Sequence, residues 1–122
     1  MKWIATLLLI MPAIALAETE PEFHLCAPYA QASAVGEKTE RGWPVFVTLT
    51  ESGTRSFQQF TETNAGRMTQ IVVGGREFLR ATIWVPPTHG RLKVIFTTEK
   101  IATSWHRTLE TKLAPAPCGA KD

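Results

Sequence analysis

Between Val45 and Thr50 the chain alternates, with Val45, Val47 and Leu49 on one side and Phe46, Thr48 and Thr50 on the other. That is the period of a strand with one buried face. Thr50 is suited to cap a following helix, whose buried face is marked by Phe57 and Phe60. Asn64-Ala65-Gly66 stops that helix, with Gly66 in the left-handed position. Residues 68–73 read as a second strand, Gly74-Gly75 as a tight hairpin, and 76–84 as the antiparallel return. Val85-Pro86-Pro87-Thr88-His89-Gly90 cannot sustain a ladder and is predicted to be a loop. Leu92, Val94 and Phe96 then alternate with Lys93, Ile95 and Thr97 as a further strand, and Ile101, Trp105 and Leu109 place an apolar stripe on a second helix. Ala114-Pro115-Ala116-Pro117 ends that helix in an extended tail leading to Cys118. Ahead of these elements, residues 18–22 read as a frayed acidic lead-in, 23–27 as a short strand, and 28–42 as a turn-rich loop.

Two amphipathic helices and an antiparallel sheet most economically form a two-layer α+β domain, with both helices on one sheet face. The other face is then expected to be partly open. If Val45, Ile71 and Val94 point inward, Phe46, Val72 and Ile95 point outward, with Gln70 and Lys93 as polar neighbours. Such a face reads as a modest contact surface for a partner, or as strand residues that the N-terminal segment covers. Trp84, beside a rigid Pro-Pro loop, reads either as a protein-interface anchor or as the residue closing the end of the core. His89 in the same loop reads as a further partner contact or as a solvated turn.

The N-terminus changes the picture of where this domain works. Met1-Lys2 gives a short positive start, 3–16 is an apolar run broken by Pro12, and Ala15-Leu16-Ala17 is a small-residue cleavage site. The layout predicts a secretory signal peptide removed after Ala17; the run is short for a membrane anchor. The mature chain would be residues 18–122, exported to the periplasm and without a membrane span. Export places Cys26 and Cys118, the two cysteines of the chain, where a pair can oxidise, and a bond between them would close nearly the whole domain. A redox thiol, or a metal site using His24 and Cys26, is the alternative reading of the same residues, but no C-x-x-C and no second ligand pair accompanies them.

Composition and chemistry mainly exclude. With 44% apolar residues in 122 the chain holds one ordinary core, too small for a large enzyme with a cofactor domain. Thirteen Lys and Arg against eleven Asp and Glu leave +2, which is no footprint for nucleic acid. Asp122 is the sole aspartate, so a Ser-His-Asp triad is not credible, although Glu can substitute in principle. His24, His89 and His106 have no paired-ligand spacing, and His106 reads as a surface residue. Glu51, Glu62, Glu77, Glu99 and Glu110 lie in no hydrolytic signature. No catalytic residue, metal or cofactor is predicted.

Val45-Phe46-Val47-Thr48-Leu49-Thr50-Glu51-Ser52-Gly53, then Phe57, Phe60-Thr61-Glu62-Thr63-Asn64-Ala65-Gly66-Arg67, Ile71-Val72-Val73-Gly74-Gly75-Arg76, Leu79-Arg80-Ala81 and Leu113-Ala114-Pro115-Ala116-Pro117 carry a family resemblance. Together they resemble the head subdomain of the first periplasmic domain (P1 head) of the SecD/SecDF export proteins. The resemblance covers residues 45–117 as a P1 head-like domain, which leaves the signal peptide (1–17), an N-terminal strand and loop (18–44) and a tail with Cys118 (118–122) outside it. It implies that fold, a periplasmic setting and polypeptide binding; the family's membrane helices, which carry its proton-driven work, have no counterpart, so no motor is implied. Three functions follow. The first is a non-enzymatic inhibitor or immunity protein that neutralises a toxin or enzyme in the periplasm. The second is an export accessory that binds extended polypeptide by strand addition. The third is a small hydrolase.

Overall fold

A computed structural model describes residues 20–85 and 89–120; the expected signal peptide and the Pro86-Pro87-Thr88 part of the loop lie outside the described residues. The chain runs β1 (Glu22–His24), β2 (Ala30–Val35), β3 (Trp43–Leu49), α1 (Glu51–Thr63), β4 (Met68–Val73), β5 (Arg76–Thr82), β6 (Arg91–Phe96), α2 (Glu99–Thr111) and β7 (Gly119–Ala120), with a 3-10 turn at Ala27–Tyr29. The α+β class is as expected, but the strands form two sheets rather than one. The first has the order β5-β4-β1-β7 and the second β2-β3-β6. The first sheet is also mixed, because β1 pairs parallel to β4 through Phe23↔Ile71 and antiparallel to β7 through Phe23↔Ala120.

Local chemistry explains most of the boundaries. Thr50 accepts the Gly53 N–H at 3.1 Å and starts α1, and Thr98 accepts the Ile101 N–H at 3.2 Å and starts α2. Gly74 and Gly75 both have positive φ (61° and 79°), as a two-residue hairpin requires for its handedness to match the strands. Phe78 is an extra residue in β5, since Ile71 pairs with Leu79 while Val72 pairs with Glu77. The bulge turns Phe78 into the core beside Leu79.

One continuous core joins both sheets and both helices, built on two aromatic clusters. Phe23, fully buried on the central strand β1, meets Phe57 edge-on at 5.0 Å and Phe60 at 5.4 Å, which seats α1. Phe78 meets Trp105 edge-on at 5.1 Å and Phe96 at 5.8 Å, which seats α2. Arg76 covers the Trp105 ring at 4.3 Å. The buried stripe of α2 is Ala102, Trp105 and Leu109; Ile101, expected in it, is 42% exposed because the helix is turned to present Ala102 to the core.

Two further expectations are corrected. Residues 28–42 are not simply a loop, because 30–35 form β2 against β3 from Ala30↔Leu49 to Val35↔Val45. Ala-Gln-Ala-Ser-Ala-Val has no hydrophobic alternation to announce a strand; the pairing is imposed by β3 and by α2 lying against it. Val72, expected on an open face, is buried at 6% exposure, between its cross-strand neighbours His24 on β1 and Glu77 on β5.

Cys26 and Cys118 form the expected disulfide, with Cα atoms 5.2 Å apart and 92 residues between them in sequence. It sits where β1 ends and β7 begins, and the Ala27 N–H to Ala114 carbonyl bond (2.9 Å) reinforces the same junction. Cys26→Ser/Cys118→Ser should therefore lose about 2–4 kcal/mol of unfolding free energy in denaturant melts. Wild type in reductant should fall to the same value, whereas a wild type indifferent to reductant would remove the disulfide's role.

Glu20 ties the lead-in to the sheet. Its carboxylate accepts Arg80 Nε at 2.9 Å and Gln70 Nε2 at 3.0 Å and pairs with the second Arg80 nitrogen as well. The Arg80 guanidinium first, and then the Gln70 amide, hold the Glu20 carboxyl at about 2 against an ordinary 4.5. A depressed folded pKa stabilises the fold above the unfolded value and ceases to do so as pH falls through the folded one. The Tm advantage of wild type over Glu20→Gln should accordingly be full above pH 4.5 and shrink as pH approaches 2. A Tm difference constant across that window would contradict this.

Candidate functional site

Strand alternation in the three-stranded sheet sends Val45, Val47, Leu92 and Val94 into the core and leaves Phe46, Thr48, Arg91, Lys93 and Ile95 on the outer face. The β3–β6 register sets Phe46 opposite Lys93 and Pro44 opposite Ile95, so the expected residues Phe46 and Ile95 share one surface. Arg91 lies over the Phe46 ring at 4.9 Å. Beneath the ring is Gly36, where a Cβ would come within 2.7 Å of it, so only glycine lets the chain pass so close. At the corner a depression of about 420 Å³ is lined by Thr39, Glu40, Arg41, Lys93 and Ile95. Among the described residues neither Arg91 nor Lys93 makes an ion pair.

The other expected contact residues lie elsewhere. Val72 belongs to the four-stranded sheet and is covered, so it does not join Phe46 and Ile95. Trp84, beyond the end of β5, is 73% exposed and rests one face on Gly66, whose φ of 80° and missing Cβ leave room for the ring. His89 is exposed and borders a separate hollow against Thr54, Arg55 and Gln58 of α1.

A polar cluster that sequence spacing does not reveal joins β2 to α2. Ser33 Oγ lies 2.7 Å from His106 Nδ1 and 3.0 Å from Glu110 Oε2, and the Ser33 backbone N–H donates to the same carboxylate at 3.0 Å. His106 is thus half-buried and engaged rather than a free surface residue. The arrangement is not a nucleophile triad. The carboxylate sits on the serine hydroxyl rather than on the imidazole, and it accepts the Ser33 backbone N–H as well. Its physical effect is to satisfy the outward N–H of a sheet-edge strand. Among the described residues no group of three or more His, Cys, Asp or Glu is placed to hold a metal ion.

Comparison with known proteins adds the fold family. No protein-family model matches the sequence, and no curated protein matches it. Solved structures do match in three dimensions, two of them SecDF structures. One is from work on a membrane component, SecDF, that enhances protein export, with 20% identity and a TM-score of 0.63 over 79% of this chain and 44% of that one. The fold is that of a SecDF domain. The other, SecDF in a super-membrane-facing form, gives the same identity and TM-score, with this chain spanning 13% of its length. The chain therefore spans less than half of either SecDF chain. Among the described residues no helix is long and apolar enough to cross a membrane.

The Ser33–His106–Glu110 cluster yields its own test. Glu110→Ala should cost about 1 kcal/mol of stability. It should also speed hydrogen exchange at the Ser33 amide by roughly tenfold. Unchanged exchange there would mean that the carboxylate does not guard the strand edge.

Proposed function

We propose that this protein is a periplasmic accessory to protein export that binds extended or unfolded polypeptide and has no motor activity of its own. The observation that carries the reading is the SecDF-domain fold over 79% of the chain. The Cys26–Cys118 disulfide suits an oxidising compartment, and the apolar N-terminal run with its Ala15-Leu16-Ala17 site supplies a route there by signal-peptide cleavage. The binding surface in this reading is the outer face around Phe46 and Ile95, where a half-exposed aromatic and an aliphatic side chain lie beside the cations of Arg91 and Lys93. Trp84 is a second contact, as a large apolar side chain held in solvent by its packing on Gly66.

The inhibitor or immunity reading draws no support from the fold likeness, and no feature of the surface points to a toxin or an enzyme as partner. The hydrolase reading, which would rest on surface glutamates, draws no support from the Ser33–His106–Glu110 cluster, where the carboxylate is bonded to the serine rather than to the imidazole.

The test is binding of the oxidised protein to a fluorescent secretory polypeptide held unfolded, with the same polypeptide folded as control. Unfolded chain should bind and folded chain should not. Phe46→Ala/Ile95→Ala should weaken binding by roughly tenfold while the variant still melts cooperatively. Equal binding of folded and unfolded forms, or of variant and wild type, would argue against the reading or its surface respectively.

A further inference from the structure

Main-chain capture of an extended segment needs a strand whose outer N–H and C=O groups are unpaired, and four strands here end a sheet: β5 and β7 in one, β2 and β6 in the other. Three of them are obstructed. Glu110 accepts the Ser33 N–H on the free side of β2, against which α2 lies. β7 is two residues long. β5 is bent by the bulge at Phe78, and bulges twist an edge away from further pairing. β6 differs: its six residues pair with β3 without interruption, from Arg91↔Thr48 to Phe96↔Trp43, and among the described residues no strand is hydrogen-bonded to its other edge.

We infer that β6 is the strand-addition site and that the segments it takes carry carboxylates at alternate positions. The inference rests on the polypeptide-binding reading above and specifies its ligand. Arg91, Lys93 and Ile95 project from one face of β6, and the two cations have no carboxylate partner among the described residues. Residues directly opposite one another on paired strands interact, favourably when oppositely charged and unfavourably when alike. An antiparallel newcomer, running from Ile95 toward Arg91, therefore matches the pattern apolar-x-acidic-x-acidic. Its apolar residue falls beside Ile95, at the depression that Arg41 and Lys93 also line. Glu40 also lines that depression and bears on the apolar end of the segment rather than on the Arg91 end. The same rule counts against the antiparallel β6–β6 register centred on Leu92 in a second copy of this chain, which would set Arg91 of each copy opposite Lys93 of the other.

The experiment uses three labelled peptides of equal length, patterned Val-x-Glu-x-Glu, Val-x-Thr-x-Thr and Val-x-Lys-x-Lys with x as Thr, titrated by fluorescence anisotropy into the oxidised protein at low salt. The acidic peptide should bind on the order of tenfold more tightly than the Thr peptide, and the Lys peptide most weakly. Lys93→Glu, an exposed substitution checked by its melt, should erase the acidic preference, because repulsion at position 93 then offsets the attraction at Arg91, and Lys93→Gln should reduce it. Methylating alternate backbone nitrogens of the acidic peptide should abolish binding in one of the two registers. Equal binding of all three peptides, or an order that Lys93→Glu leaves intact, overturns the acidic preference while the polypeptide-binding reading stands. Undiminished binding of both N-methylated peptides overturns strand addition. If neither the peptides nor an unfolded secretory polypeptide bind, the underlying reading fails and takes this inference with it.

Discussion

The three residues of β1 are the constraint on which the four-stranded sheet depends. Glu22, Phe23 and His24 pair on one side with Gln70, Ile71 and Val72 and on the other with Gly119 and Ala120, so a central strand is assembled from the two ends and the middle of the chain. So short a strand contributes few hydrogen bonds, and bringing distant segments together costs loop-closure entropy before any contact is made. Two features offset that cost. Phe23 places its whole side chain in the core, where Phe57 and Phe60 of α1 close over it, and the Cys26–Cys118 bond fixes β7 beside β1 covalently. Helix α1 thus has its seat only if the chain ends have met.

This dependence explains which parts of the fold can be read from sequence. Elements set by neighbours in sequence are legible: the Thr50 cap, the Gly74-Gly75 hairpin, and the alternation of Val45, Val47 and Leu49 all arise within a few residues. Elements set by distant partners are not. β2 is a strand because β3 and α2 make it one; its own alanines and serine express no preference. Val72 has an outward register position yet is buried, because the strand on its far side is β1, nearly fifty residues earlier in the chain by the register His24↔Val72. Ile101 fits a four-residue stripe, and only the packing of Trp105 against Phe78 decides that Ala102 lies inward instead.

The site divides in the same way. That Phe46 and Ile95 face outward beside Lys93 follows from alternation alone, and the structure brings them together because β3 and β6 are neighbours. Trp84 could be singled out by its place beside a Pro-Pro loop, but its exposure depends on Gly66 supplying a platform from another element. The Ser33–His106–Glu110 cluster spans 73 and 77 residues and has no local signal beyond the i, i+4 spacing of His106 and Glu110.

Edge protection is the link between the fold and the proposed activity. Unpaired strand edges invite association with any extended chain, and folded proteins normally cover or bend them. Here β2 is covered by a helix carboxylate, β5 is bent, and β7 is too short to serve, so leaving β6 regular and unpaired among the described residues stands out as the exception. Backbone pairing at such an edge is indifferent to most of the partner's sequence, which suits a protein meeting many unfolded chains. Cationic side chains along it add selectivity without requiring a deep pocket, and their repulsion disfavours the self-pairing register centred on Leu92. An edge that binds weakly through main chain and is tuned by charge can release its polypeptide without an energy source, which is what the proposed accessory role requires.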